Sequence, residues 1–233
     1  RNPRDSSQSL WTPQEARDFK AETATQTSCA VLQGILNQTE LATETLFQLN
    51  HVRVCEPGCG ESIKTNDGAW LCVMTTGPGA EGAGGQHVVS LRSTDRGKTW
   101  EKAVDIEPND GPEASYAVML KVPSGRVYVF YNHNTDNIRQ VIADKPAYKD
   151  GFNKRVDSLG HFVFKYTDDH GRSWSRERYD IPQRDFEIDR KNPYQGKLKF
   201  FWNVGKAFEY KGAGYVPLHK VGGFGDGFFN AAD

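Results

Sequence analysis

Two stretches of this chain read nearly alike: Ser93-Thr94-Asp95-Arg96-Gly97-Lys98-Thr99-Trp100 and Thr167-Asp168-Asp169-His170-Gly171-Arg172-Ser173-Trp174. Both follow the pattern Ser/Thr-x-Asp-x-Gly-x-Thr/Ser-Trp, and self-similarity of this kind marks a repeat architecture. The physical logic is local. The Asp accepts hydrogen bonds from turn amides, the Gly takes a φ that other residues avoid, and the Trp packs between neighbouring sheets. Two copies, each closing a strand pair, predict blades of a β-propeller.

These motifs resemble the Asp-box (BNR) repeat of the sialidase, or neuraminidase, superfamily. Glu113-Ala114-Ser115 and Gly125-Arg126-Val127-Tyr128-Val129-Phe130-Tyr131 are also similar to segments of bacterial sialidase-like glycosidases. The resemblance covers roughly residues 52–230. It implies an all-β fold, a six-bladed β-propeller of which about two and a half four-stranded blades are present. It gives Ser93, Asp95, Gly97, Trp100, Thr167, Asp169, Gly171 and Trp174 structural roles, because Asp boxes sit away from the active site. The activity it implies is hydrolysis of terminal glycosidic bonds of glycans, with no cofactor and no metal. The alternative from a different class is a non-catalytic propeller that binds glycan or protein.

Composition narrows the partners. Lys and Arg number 29 against 30 Asp and Glu, so no global charge steers the chain toward nucleic acid or an anionic membrane. Aromatic residues make up 12% of the chain and glycines number 23, which suits many short strands joined by tight turns. No apolar run of about 18 residues is present, so no membrane-spanning helix is expected. The chain opens at Arg1 and closes at Asp233 inside what reads as a third blade, and is read as an N-terminal fragment whose remaining blades belong to the same polypeptide. A secreted or periplasmic location is the expectation, with any signal peptide outside the fragment. Of Cys29, Cys55, Cys59 and Cys72, the Cys55/Cys59 spacing lacks the second ligand pair of a zinc knuckle. Cys72 is open to a disulfide with Cys55 or Cys59, or to remaining a buried thiol.

Along the chain, residues 1–51 are polar and read as an N-terminal extension. Thr12-Pro13-Gln14-Glu15 has the form of a capping box, predicting a short helix over roughly 13–21. Asn37-Gln38-Thr39 fits a glycosylation sequon. The propeller is expected over 52–233, with blade one at about 52–107, blade two at about 112–182 and blade three from about 197. Strands are expected at 61–64, 70–75, 87–92 and 100–106, then at 116–122, 127–132, 161–166 and 174–179, and finally at 199–204 and 214–219. Loop 133–159 is longer than a hairpin needs and marks a functional or rim segment. This order puts Gly68, Gly125, Asp95 and Asp169 at one end of the strands. The opposite end gathers loops 76–87, 107–114, 132–160, 181–198 and 219–227 around a funnel, where propellers bind ligands.

Candidate chemistry concentrates at that second end. Glu56 and Glu113 each stand beside a proline where the chain drops into a central strand. Two carboxylates projecting into one funnel are what glycoside hydrolysis uses, one as acid and the other as base or nucleophile. Asp136, in the polar run Tyr131–Asn137, is the third catalytic candidate, with Asn132 and Asn134 as donors and acceptors for sugar hydroxyls. Glu81, in the Gly-rich loop 77–86, stands where sialidases carry their acid Asp, and His87 follows it. His219 and Lys220 are candidates for an anionic substrate group, and Arg53 completes the substrate-binding set. Loop 77–86 lacks the helix and Lys of a phosphate cradle, so nucleotide is not expected.

The chain departs from the sialidase pattern at one informative place. Where that family begins its central strand with Arg-Ile-Pro, this chain reads Cys55-Glu56-Pro57, and Arg53 lies two residues upstream, one strand pitch from a clamp position. Glu in place of the carboxylate-clamping Arg points to a less anionic glycan or another glycosidic bond. The family's remaining arginines and its Tyr/Glu nucleophile pair would fall beyond Asp233.

Overall fold

The structure is a computed structural model describing residues 60–79, 82–143, 149–203, 205–222 and 229–231. The N-terminal extension with its expected helix, the sequon, Cys29, Cys55 and Cys59, and the candidates Arg53, Glu56 and Glu81 lie outside the described residues. The regular elements among the described residues are strands save one short helix, and no helix among them is long and apolar enough to cross a membrane.

The first sheet is a four-stranded antiparallel meander of β1 (Gly60–Lys64), β2 (Trp70–Thr76), β3 (His87–Ser93) and β4 (Val104–Asp105). The second sheet repeats that order with β5 (Ala114–Lys121), β6 (Val127–His133), β9 (His161–Thr167) and β10 (Tyr179–Asp180). Tight hairpins join the inner pairs, with Gly68 and Gly125 at positive φ as those turns require. Both outer strands are shorter than the sequence suggested. Trp100 and Trp174 remain in their turns, which close through Glu101 N–H to Arg92 O (2.8 Å) and Ser175 N–H to Tyr166 O (2.7 Å).

Side chains alternate across each strand, and that alternation builds the layers. Val127, Val129 and Tyr131 of β6 face the first sheet and join Leu71, Val73 and Val88 in one buried core. Phe130 of β6 and Phe162 of β9 turn the other way and meet Phe201 in a second core. That second core leads to a three-stranded sheet of β11 (Phe200–Trp202), β14 (His219–Val221) and β15 (Phe229–Ala231). Its second strand was expected at 214–219. Residues 208–215 instead fold back as a separate hairpin, β12 (Phe208–Tyr210) with β13 (Ala213–Tyr215), because Lys211 and Gly212 both adopt positive φ in a two-residue turn. Loop 133–159 carries its own small pair, β7 (Val141–Ile142) with β8 (Phe152–Asn153). A short helix, α1 (Glu187–Lys191), precedes β11. The described sheets do not close into a ring.

The two ends of the strands differ in what they gather. At one end the hairpin turns abut, leaving a Cβ on Gly125 only 2.5 Å from Asn66 Nδ2, and Arg172 of the second Asp/Trp turn reaches Asp67 of the first hairpin at 3.0 Å. At the other, loop 82–86 meets the start of β5 through Ala114 N–H to Gln86 O (3.0 Å), and Val156 N–H donates to Gly82 O (3.1 Å). Glu113, one residue ahead of β5, lies at this second end.

Candidate functional site

Glu113 is buried against the start of β5. Its Oε1 accepts from Ser115 Oγ at 2.6 Å, whereas Oε2 is buried with no hydrogen-bond partner among the described residues. Burial drives its pKa up to about 8, and nearby Asp157 pushes the same way, against the Ser115 hydrogen bond and the charges of Arg155 and Arg139. Glu113 is therefore a protonated carboxylic acid at neutral pH.

The strand beyond it is bent to serve the same place. Register shifts between Ser115 and Val118, and Tyr116 sits at φ 57°, a left-handed conformation that costs about 1–3 kcal/mol in a bulky residue. The bulge aims the Tyr116 hydroxyl at Asp157 Oδ2, to which it donates at 2.8 Å, while accepting from Arg155 Nη2 at 2.8 Å. Arg155 also grips the Asp157 carboxylate through Nε (2.8 Å) and Nη2 (2.7 Å). Trp202 meets the Tyr116 ring edge-to-face at 5.9 Å. Asn132 Nδ2 donates to Asp157 O (3.2 Å) and Phe201 O (2.7 Å), tying β6, the long loop and β11 together behind the acid.

Gly82 and Gly84 of the Gly-rich loop lie against this cluster, and their lack of a side chain has a steric consequence. A Cβ on Gly82 would lie 2.3 Å from Arg155 Cγ, and one on Gly84 would lie 2.7 Å from Arg139 Nη1. At Gly82, which also takes a positive φ, bare backbone is needed for the Arg155 stem to pass, whereas at Gly84 only the mobile tip of Arg139 is met. Chemically the cluster offers a neutral acid (Glu113), a hydroxyl held between a carboxylate and a guanidinium (Tyr116), and an aromatic wall (Trp202). Among the described residues no group of three or more His, Cys, Asp or Glu is placed to hold a metal ion.

The other sequence candidates are dispersed. Asn132 supports the cluster as described. Asn134 closes its own loop, exchanging hydrogen bonds with Ile138 through Nδ2 (2.8 Å) and Oδ1 (2.9 Å). Asp136 is exposed and lies 3.7 Å from His161 Nε2, whose other nitrogen is 3.3 Å from Asp180. His87 is buried with Nε2 3.3 Å from Asp105. Lys220 is buried against Asp189 (3.2 Å) and donates to Gln183 Oε1 at 2.6 Å, and His219 is half-buried beside it.

Sequence reasoning missed Tyr116, Arg139, Arg155 and Asp157. The length of loop 133–159 marks it only as a functional or rim segment, and the Arg155-x-Asp157 spacing inside it is the available signal. It also missed a buried network between the first two sheets. Glu107 accepts from Tyr131 at 2.5 Å and Arg178 at 3.1 Å, with Lys165 Nζ 3.4 Å away. Arg178 also donates to His133 Nε2 at 3.1 Å. Burial and Arg178 press the His133 pKa down to about 4, so its ring is neutral.

No protein-family profile matches this chain, and no curated protein matches it. Solved structures do match at low identity. A Dyadobacter fermentans protein of unknown function is 16% identical over 70% of this chain and 46% of its own, with a TM-score of 0.49. The Hadza microbial sialidase Hz136 is 16% identical over 70% of this chain and 32% of its own, with a TM-score of 0.46. The NanB sialidase of Streptococcus pneumoniae is 9% identical over 75% of this chain and 43% of its own, with a TM-score of 0.42. The chain thus spans a third to a half of the length of these structures. The fold rests on its strand order and register, and the site on its own geometry.

Proposed function

We propose that this chain carries part of the active site of a sialidase-like glycoside hydrolase, with Glu113 as the general acid. The carrying observation is the Glu113 carboxyl, buried and with one oxygen unpartnered among the described residues, a setting in which burial pushes its pKa up to about 8. A glycosidic oxygen must be protonated as its bond to the anomeric carbon breaks, and an acid still protonated at neutral pH supplies that proton. Tyr116, fixed between Asp157 and Arg155, lines the same site, with Trp202 as an apolar wall for a sugar ring. Glu56, set beside Pro57 as Glu113 is beside Pro112, is the second carboxylate in this reading. The two Ser/Thr-x-Asp-x-Gly-x-Thr/Ser-Trp turns act as Asp boxes at the end away from the chemistry, the second of them also fastening the second sheet to the first through Trp174 and Ser90. The full protein is read as a six-bladed propeller acting on glycans outside the cytoplasm.

Screening the full-length protein against aryl glycosides, sialosides included, tests this reading. Glu113→Gln should lower turnover at least about a hundredfold, the scale of a lost general acid, with the fold intact. Unchanged turnover would remove Glu113 from the chemistry. A binding propeller is the second reading, favoured by one feature: the Tyr116, Arg155 and Asp157 groups are already bonded to each other, as in a rigid recognition surface. Glycan binding with no turnover on any glycoside would select it.

A further inference from the structure

Two carboxyl groups are buried in the cluster at the start of β5, Glu113 and Asp157, and their partners differ in kind. Asp157 is fully engaged: Arg155 grips it through Nε (2.8 Å) and Nη2 (2.7 Å), and the Tyr116 hydroxyl donates to its Oδ2 at 2.8 Å. Glu113 has only the Ser115 hydroxyl on Oε1, and its Oε2 meets no donor among the described residues. The backbone ties the two groups together. Ser115 pairs across the sheet with Asn132, whose Nδ2 donates to Asp157 O at 3.2 Å. Gly82, where a Cβ would lie 3.0 Å from Asp157 Oδ1, donates through its N–H to Gln86 Oε1 at 3.0 Å. Gln86 O in turn accepts from the N–H of Ala114, the residue after Glu113, at 3.0 Å.

We propose that Asp157 is a positioning residue of the Glu113 site: its pinned carboxylate, through its negative charge, holds the proton on Glu113 until a glycosidic oxygen takes it. This deepens the hydrolase reading above and rests on it. Two carboxyls in one buried cluster do not both ionise, and the one that owns the cation keeps the charge. Arg155 lies on Asp157, so the proton stays with Glu113. Burial is the first cause of the raised Glu113 pKa; of the charges near it, Asp157 adds to the rise, whereas Arg155 and Arg139 oppose it. The strained backbone at Tyr116 then has a purpose. It brings Asp157 a second donor that carries no charge, so the carboxylate is held without a second cation to cancel it. The same repulsion serves turnover. As the glycosidic bond breaks, its electron pair stays on the leaving oxygen, the Glu113 proton joins that oxygen to give an alcohol, and Glu113 becomes a carboxylate beside Asp157. Water adding to the anomeric carbon releases the proton that restores the acid.

The test follows the Glu113 carboxyl by infrared spectroscopy in the whole chain, as the band lost on Glu113→Gln in each background, and compares the midpoints of its pH titration. Asp157→Asn, which keeps the shape and removes the charge, should lower the midpoint from about 8 by about one unit, a tenfold loss of proton affinity. Asp157→Glu, which keeps the charge, should leave it within about 0.3 unit. Asp157→Ser carries the same expectation as Asp157→Asn and replaces it where Asp157→Asn does not fold. On a cleaved aryl glycoside, the basic limb of kcat/KM should move to lower pH by the same amount in the neutral variants. Absence of cleavage in every variant, the unaltered chain included, would count against the hydrolase reading alone, since the infrared midpoints need no turnover. A midpoint that falls by less than about half a unit in the neutral variants, or that falls equally in Asp157→Glu, would overturn the role of Asp157.

Discussion

The two Asp/Trp turns are internally the same and externally different. In each, the Asp carboxylate accepts from the backbone N–H and side-chain hydroxyl four residues on: Asp95 from Thr99 at 2.8 and 2.6 Å, Asp169 from Ser173 at 2.9 and 2.5 Å. In each, the leading hydroxyl accepts from the Gly N–H, at 2.7 Å for Ser93 and 3.0 Å for Thr167. Arg96–Gly97 and His170–Gly171 share a positive-φ pair. The outward groups then part ways. Trp174 Nε1 crosses to the first sheet and donates to Ser90 Oγ at 2.9 Å, whereas Trp100 Nε1 returns to Gly97 O of its own turn at 3.2 Å. Gly171 is pressed on Leu71 of the neighbouring sheet, while Gly97 rests on Trp70 of its own. The lesson is that the motif encodes a self-sufficient turn, and the neighbour it meets decides whether that turn also fastens two sheets.

Substitutions made in pairs sharpen this contrast. Trp174→Ala should destabilise by about 3 kcal/mol in denaturant unfolding, and Trp100→Ala by roughly half as much. Equal losses would mean that the inter-sheet contact adds nothing. Gly171→Ala should cost about 2–3 kcal/mol, combining left-handed strain with a Cβ placed 2.3 Å from Leu71 Cδ1. Gly97→Ala meets its nearest neighbour at 3.2 Å and should cost only the strain, about 1 kcal/mol. A larger loss at Gly97 would reverse the assignment of which turn is the fastener. The smallest effect is Ser90→Ala, about 1 kcal/mol. In a double-mutant cycle it should couple to Trp174→Phe and not to Trp100→Phe; coupling to both would show a general softening of β3 instead.

The same contrast explains what was legible from sequence. A turn whose partners lie within four residues, such as Ser93 through Thr99, is written in consecutive letters, and so is the hairpin at Asn66-Asp67-Gly68. Glu113 stood out beside Pro112 at a strand start. The groups that surround Glu113 were not legible, because Arg155 and Asp157 reach Tyr116 across about forty residues of chain through a long loop. Strand alternation hinted at the layers, yet could not say that Lys220 meets Asp189 or that Glu107 collects Tyr131, Lys165 and Arg178. Each of those pairings depends on which strands become neighbours. The 208–215 hairpin escaped because Lys211 takes a positive φ without being Gly, Asn or Asp.

Glu113 also gives the fold a pH signature. A carboxyl whose pKa rises from 4.5 unfolded to about 8 folded stabilises the protein fully below the lower value and loses that contribution as pH climbs through the higher one. Stability should therefore fall by a few kcal/mol between about pH 5 and pH 9, and Glu113→Gln should flatten the curve. The most direct measurement is the infrared carboxyl band of Glu113, isolated as the difference between the unaltered chain and Glu113→Gln across a pH titration. A protonated C=O band present at pH 7 and vanishing near pH 8 is the predicted result. A carboxylate already ionised at pH 6 would contradict the neutral acid on which the proposed chemistry stands.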